Sequence, residues 1–282
     1  MFYMSIPYLD LDHVYKSGQV LTWTKVGEGG KYIIVHKDKI VQVEQKRNHF
    51  TFSCSEEDFY NTWYDYFDIG TDYLDLHYMF CKLDKDIEAL CNRASGIRII
   101  KQDMLQAIIT SILLEDGRSP DMARMYMNNI TRACGKKRKN SVVGQVVTWH
   151  EFPSVDDIIR KLNRVSDKDL GHDKGRILSL CNDIKDGWLS ITEDYSDYCY
   201  TSGVFSDFSY LSGCSENICL LGGHHLCAYP TDCATDEFIG DNFFMNSTEF
   251  YDTFICGQKQ VENAGYLLQV IKYNKYNPPR RL

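Results

Sequence analysis

The sequence predicts an α+β protein in which a small N-terminal antiparallel sheet packs on a larger helical body. Residues 19–54 alternate apolar and polar positions in short runs, which is typical of half-buried strands. From Glu56 the apolar residues recur at helical spacing, beginning with Phe59 and Trp63. A chain of 282 residues with 44% hydrophobic content can bury the core that such a fold needs.

The predicted sheet domain spans residues 1–58. Its strands are expected at residues 20–23, 32–36, 40–44 and 50–53. The sequence GEGG at residues 27–30 separates the first two runs, and KDK at residues 37–39 separates the next two. Because both breaks are rich in turn-forming residues, the strands should be joined as hairpins.

The predicted helical domain spans residues 59–272. Helices are expected at residues 74–94, 103–114, 121–134, 154–163 and 174–186. Ser154 follows a proline and precedes two acidic residues, as a helix N-cap does. The remaining residues, 273–282, carry PPRR near their end and are expected to form a disordered tail.

The formal net charge of −8 argues against a protein that grips duplex DNA, because phosphates must be neutralised by lysine and arginine. A basic cluster, KKRK at residues 136–139, is expected to be a solvated loop, although it leaves DNA binding by another face open. No apolar run is long enough to span a bilayer, and the first ten residues lack the features of a signal peptide. These observations predict a cytoplasmic protein without membrane contact.

The eleven cysteines favour reduced thiols, because their number is odd and no export signal accompanies them. No CxxC pair occurs. Cys214, Cys219, Cys227 and Cys233 lie around two adjacent histidines but lack the spacing of a zinc site. We therefore expect neither a metal nor a cofactor.

Six short segments, in order along the chain, carry a family resemblance. They read SGQVLTW at residues 17–23, YFDIGTDY at 66–73, GIRIIKQD at 96–103, FPS at 152–154, AYPTD at 228–232 and AGY at 264–266. Together they resemble segments of the 8-oxoguanine DNA glycosylases of the helix-hairpin-helix superfamily, with this chain as a divergent member. The resemblance implies the fold of that group, with a base pocket between a sheet domain and a helical domain.

The resemblance also implies the chemistry of base excision. Such an enzyme extrudes one nucleotide and cleaves the bond between base and sugar while positive charge builds on the sugar. Asp232 fills the slot of the carboxylate that stabilises this charge, although an ordinary N-cap aspartate would look the same. The base pocket is expected to include Gly18, Gln19, Leu268, Gln269 and Lys272.

The family's catalytic lysine, which makes the enzyme a lyase as well, has no counterpart in its usual place. Aligning LSGCS at residues 211–215 with the family's hairpin places Asn217 in the lysine slot, and counting back from Asp232 places Gly213 there. No lysine or arginine occurs between Asp186 and Gln258. We therefore expect that the catalytic lysine and the lyase activity are lost.

The same segment contains twelve acidic residues, which should oppose phosphate binding by the hairpin. The resemblance places the hairpin at Gly213 and Ser215, the wedge into the DNA at Asp116 and another DNA-facing position at His172. Several of these positions have acidic neighbours or are themselves acidic. DNA binding is therefore expected to be weakened.

Two hypotheses about function follow. In the first, the protein is a monofunctional DNA glycosylase that uses Asp232 and water to remove a damaged base other than 8-oxoguanine. In the second, it is an inactive descendant that binds a cationic protein partner, as an inhibitor or decoy, or a nucleobase-like ligand. The acid-rich segment favours the second hypothesis, and the family resemblance favours the first.

Overall fold

The computed structural model describes residues 1–142, 145–192, 195–211, 213–255 and 257–279. Its N-terminal sheet has five antiparallel strands in the spatial order β1-β5-β4-β3-β2. The strands are β1 (Phe2–Ser5), β2 (Trp23–Lys25), β3 (Lys31–His36), β4 (Lys39–Lys46) and β5 (His49–Phe52). The predicted sheet is confirmed, with β1 as an additional edge strand and β2 displaced towards Lys25.

The inner face of the sheet is covered by helices. α1 (Leu11–Lys16) follows β1, and a continuous helical segment follows β5. This segment consists of α2 (Glu56–Asp58), a π-helical turn (Phe59–Trp63) and α3 (Tyr64–Tyr66). Phe59 and Trp63 are buried against strand residues such as Phe52, as the helical spacing predicted.

The helical body contains thirteen further α-helices in the described part of the chain. They are α4 (Tyr73–Cys81), α5 (Lys85–Arg93), α6 (Met104–Leu114), α7 (Pro120–Cys134), α8 (Val155–Lys161), α9 (Asp167–Leu170), α10 (Asp173–Lys185), α11 (Tyr198–Ser206), α12 (Ser215–Leu221), α13 (Cys233–Phe243), α14 (Ser247–Phe254), α15 (Gln258–Val261) and α16 (Ala264–Tyr276). The α+β architecture predicted from the sequence is confirmed.

α6 lies at the centre of this body. Its residues from Met104 to Leu113 are all buried, and they contribute to two apolar clusters. One cluster joins α6 to α7, α8 and α10, and the other joins it to α12 and α16. Because α6 is packed on all sides, it fixes the turn at its C-terminal end, Glu115–Gly117, against the other helices.

Three expectations about secondary structure are wrong. The single helix expected at residues 74–94 is divided into α4 and α5, because Asp84 accepts a hydrogen bond from the Asp86 N–H at 2.7 Å and starts a new helix. The basic cluster is not a loop but part of β6 (Lys137–Val142), which pairs with β7 (Gln145–His150). The expected disordered tail is helical as far as Tyr276.

Other expectations hold, or are not tested. Ser154 caps α8 by accepting a hydrogen bond from the Asp157 N–H at 3.3 Å. No described helix combines the length and the apolar character that a bilayer crossing requires. The boundary between the two domains at residue 58 stays a prediction, and residues 280–282 of the expected tail lie outside the described part.

Candidate active site

Asp232 is both a helix cap and a buried carboxylate. Its Oδ1 accepts hydrogen bonds from the Thr235 N–H at 2.8 Å and from the Thr235 hydroxyl at 2.7 Å, which caps α13. Its side chain is only 9% exposed. Burial raises the pKa of Asp232, but the Lys272 ammonium and the Thr235 donors outweigh it and hold the pKa below its ordinary value. The carboxylate is therefore ionised at neutral pH.

Lys272 brings an amine to this carboxylate. Its Nζ lies 3.1 Å from Asp232 Oδ2 and donates a hydrogen bond to Asn217 Oδ1 at 2.9 Å. The lysine side chain is also 9% exposed. An amine therefore lies beside the carboxylate, although no lysine occupies the family's usual slot. This lysine does not come from the segment around the hairpin but from the C-terminal helix α16, which packs beside α12 and α13.

The structure also distinguishes between the two candidates for the lysine slot. Asn217, in α12, faces Asp232 through the Lys272 amine. Gly213 is close to Glu115 instead, since a Cβ added to it would be 2.0 Å from Glu115 Oε1. The geometry thus agrees with the alignment through the hairpin.

A small cavity adjoins the pair of charged residues. Its lining comprises Ser17, Gln19, Leu114, Asn217, Leu221, Asp232, Gln269, Lys272 and Tyr276. Gln269 donates a hydrogen bond to the Ser17 carbonyl at 3.1 Å. Leu268, by contrast, is fully buried in an apolar cluster and does not line the cavity. Of the three residues of α16 expected in the base pocket, Gln269 and Lys272 thus line this cavity and Leu268 does not.

The segment SGQ at residues 17–19 is hydrogen-bonded to the backbone of the segment GIRII at residues 96–100. The Gln19 side chain donates to the Arg98 carbonyl at 2.9 Å and accepts from the Ile100 N–H at 2.8 Å. Gly18 has φ +86°, and a Cβ there would lie 2.9 Å from Pro120 Cγ. Gln19 therefore fixes the wall of the cavity with its amide already bonded to the backbone.

The cavity is nearly closed. Its volume of about 10 Å³ leaves room for roughly one water molecule. Lys272 fills it from one side and Tyr276 from another, and burial beside the Asp232 charge raises the pKa of the Tyr276 hydroxyl, which keeps it neutral. A nucleobase could be admitted only if these side chains moved.

The acidic residues near the expected wedge are paired with arginines. Arg176 forms ion pairs with Glu115 and, at 3.7 Å, with the fully buried Asp173. Arg118 Nη1 lies 2.8 Å from Asp173 Oδ2. These acids therefore neutralise arginines instead of facing phosphate. His172 Nε2 is 3.4 Å from Asp173 Oδ1, and Ser215 is buried at the start of α12; the side chain of Asp116 lies outside the description.

Several acids between residues 186 and 258 are used inside the fold. Asp197 caps α11, and Glu249 forms a capping box with Asn246 at α14. The Glu216 carboxylate accepts hydrogen bonds from Tyr198 and from the Tyr229 N–H. Glu237 pairs with Lys275, which lies beyond this segment. Among the described acids of the segment, Asp232 and Glu237 thus pair with lysines of α16, and others cap helices or accept hydrogen bonds. Glu193 and Asp194 lie outside the described residues.

Comparison with known proteins places this geometry in context. Residues 2–108 match the family described as 8-oxoguanine DNA glycosylase, N-terminal domain. MBOgg1 in complex with a low-affinity DNA ligand has a TM-score of 0.84 at 18% identity, over 98% of each chain. The resemblance predicted from the six motifs is confirmed.

Two other solved structures show the same fold. The 8-oxoguanine glycosylase/lyase of Clostridium acetobutylicum, in complex with duplex DNA carrying cytosine opposite 8-oxoguanine, has a TM-score of 0.81 at 21% identity. The match covers 94% of this chain and 91% of that one. The 3-methyladenine DNA glycosylase of Archaeoglobus fulgidus has a TM-score of 0.71 at 12% identity, over 96% and 98% of the two chains. No curated protein sequence matches this chain.

Proposed function

We propose that this chain excises damaged bases from DNA, with Lys272 in place of the missing hairpin lysine. Its residues 2–108 match the family described as 8-oxoguanine DNA glycosylase, N-terminal domain, and its fold is that of the glycosylases named above. One observation carries the proposal. The Lys272 amine lies 3.1 Å from the Asp232 carboxylate and 2.9 Å from Asn217, which occupies the lysine slot.

This pair of side chains supplies what the reaction needs. The Asp232 carboxylate stabilises the positive charge that develops on the sugar as the bond to the base breaks. The Lys272 amine, once deprotonated, attacks C1′; the bond from C1′ to the base nitrogen breaks, and its electron pair leaves with the base. The bond from C1′ to the ring oxygen O4′ then breaks, its electron pair and a proton going to O4′, and a protonated imine forms between lysine and sugar. This imine acidifies the C2′ proton, whose loss expels the 3′ phosphate and cuts the strand.

The burial of the pair supports this role. In a site that is only 9% exposed, a charge interaction is stronger than in water, and competing hydrolysis is limited. The alkyl stem of a lysine can also cover an apolar base face while its amine reaches the sugar.

The substrate proposed is a damaged base other than 8-oxoguanine in duplex DNA. The resemblance puts the residues that read and stack 8-oxoguanine at Leu268 and Lys272. Leu268 is turned into the core, and Lys272 is not aromatic. Lys272 therefore cannot supply the ring stacking that the family's position implies, and the polar side chain at the cavity is Gln269, whose amide is already bonded to the Ser17 carbonyl.

A base-release assay tests the proposal. Duplexes carrying single oxidised or alkylated bases are incubated with the parent protein and with D232N and K272M. We expect release of at least one damaged base by the parent and loss of release in D232N, whose amide keeps the helix cap but removes the charge. If K272M released bases as fast as the parent, the nucleophile would be water and the enzyme monofunctional.

A second candidate function is supported by the closed cavity. A volume of about 10 Å³, filled by an ion pair, is also what an inactive descendant would retain after losing its substrate. Such a protein would bind a partner or a small ligand without cleaving DNA. Release of no base from the whole panel, together with no covalent adduct on abasic DNA, would favour this second function.

A further inference from the structure

A cluster of metal-binding side chains lies at the hairpin between α4 and α5, apart from the candidate active site. It consists of His77 and Cys81 on α4 and Cys91 on α5. The spacing of four residues puts His77 and Cys81 on the same face of the helix. The turn at residues 82–84 reverses the chain so that Cys91 faces them.

The distances fit a tetrahedral ion. Every pair of donor atoms in the cluster lies within 4.8 Å, and Cys81 Sγ is 3.5 Å from His77 Nε2. With zinc–sulfur bonds of about 2.3 Å and zinc–nitrogen bonds of about 2.0 Å, a tetrahedral zinc site requires nitrogen–sulfur separations of roughly 3.6 Å and sulfur–sulfur separations of roughly 3.8 Å. The three side chains therefore need only small adjustments to share one ion.

From this arrangement we propose that His77, Cys81 and Cys91 form a Zn²⁺ site with three protein ligands, in which the fourth position is open to a water molecule. Two thiolates and one imidazole are the donors that zinc prefers, whereas magnesium and calcium require oxygen donors. Two thiolates also balance the charge of the ion, so that the buried site is neutral overall.

The surroundings provide support on one side and access on the other. His77 and Cys91 are buried, whereas Cys81 is partly exposed and leaves a path for the ion and for the fourth ligand.

The site would stiffen a part of the fold that supports α16. The Tyr8 ring lies 5.1 Å from the His77 ring, and the Tyr8 hydroxyl is hydrogen-bonded to the Tyr266 hydroxyl at 2.9 Å. The Phe80 ring also packs on Tyr266. Since Tyr266 is in the helix that carries Lys272, a zinc ion between α4 and α5 would hold the platform on which that helix rests. The zinc proposal does not depend on the proposed function.

Metal analysis of the reduced, full-length protein tests the proposal. We expect one equivalent of zinc per chain after reconstitution. Replacement by Co²⁺ should give the intense visible bands of a tetrahedral site and a sulfur-to-cobalt charge-transfer band. The variants C81S and C91A should weaken cobalt binding by more than the roughly 10- to 100-fold that outer-shell changes cause. C181A, which removes another buried thiol outside the cluster, should bind cobalt like the parent.

C81S guards against a folding failure, because Cys81 is partly exposed and serine is similar in size. Circular dichroism of each variant checks that it is folded. Three results would overturn the proposal. They are a folded C81S that binds cobalt as tightly as the parent, a parent protein that holds no zinc and shows no cobalt absorption bands, or a disulfide between Cys81 and Cys91 that forms in preference to metal binding.

Discussion

The energetic coupling between Asp232 and Lys272 gives a quantitative test of the buried pair. In D232N the Lys272 ammonium loses its only ion-pair partner among the described residues, but it keeps the hydrogen bond to Asn217. In K272M the Asp232 carboxylate keeps only the two bonds from Thr235. Each change leaves a charge in a site that is 9% exposed.

The expected magnitudes follow from this geometry. Removing one partner of a buried pair costs about 3–5 kcal/mol of unfolding free energy. Because hydrogen bonds to the remaining partner persist, each single variant should lose about 3 kcal/mol of unfolding free energy. The double variant D232N/K272M leaves no charge behind, so its loss should be about 1 kcal/mol or less. The two single losses together exceed the loss of the double variant by the coupling energy, which should therefore be at least about 5 kcal/mol.

Urea unfolding at pH 7 measures all four proteins. The control is the pair formed by Glu237 and Lys275, in which Lys275 lies on the same helix but the carboxylate is 64% exposed. The variants E237Q and K275M should show a coupling of about 1 kcal/mol or less. If the Asp232–Lys272 coupling were no larger than that of the control, the two charges would not form the buried pair on which the proposed chemistry depends.

Three further predictions follow from particular residues. Burial lowers the pKa of His36 from 6.5 to about 4, so the unfolded chain binds more protons than the folded chain between these pH values. The stability that this histidine contributes should be complete above pH 6.5 and fall by about 3 kcal/mol as the pH drops through 4. Urea unfolding of H36F across this pH range should lack this loss. A Cβ at Gly135 would lie 2.1 Å from the Glu151 carbonyl oxygen, whereas a Cβ at Gly203 meets nothing within 4 Å. G135A should therefore lower the melting temperature by the equivalent of about 2 kcal/mol or more, and G203A should raise it. Equal effects of the two substitutions would contradict the packing described. Lys137 and Lys139 are exposed on one face of β6. If that face binds DNA, K137E/K139E should weaken duplex binding and reduce the slope of the log binding constant against log salt concentration by about 2. An unchanged slope would assign binding to another face.

Local patterns were sufficient to predict much of the fold. Strand alternation predicted three of the five strands closely and met the fourth, β2, only at Trp23, and the six motifs predicted the architecture. These features depend on neighbours in the sequence. The division of residues 74–94 into two helices does not follow from the apolar periodicity. An aspartate such as Asp84 can either continue one helix or cap the next, and periodicity alone does not distinguish the two.

The candidate site was only half predictable. Lys272 was placed in the base pocket by its position after AGY, but its contact with Asp232 spans forty residues and depends on how α16 packs beside α12 and α13. The cluster of His77, Cys81 and Cys91 was missed for a similar reason, because Cys91 comes from the facing helix. Contacts between helices distant in sequence are not encoded in the spacing of residues along the chain.

Covalent trapping on abasic DNA tests the central claim most directly. The parent protein, K272M and K272M/N217K are incubated with a duplex containing one abasic site and with borohydride, which reduces an imine to a stable amine. We predict a protein–DNA adduct for the parent that maps to Lys272 by mass spectrometry, no adduct for K272M, and a restored adduct when lysine replaces Asn217 in the family's usual slot. An adduct at any other residue of the parent, or base release by the parent without any adduct, would contradict the assignment of Lys272 as the nucleophile.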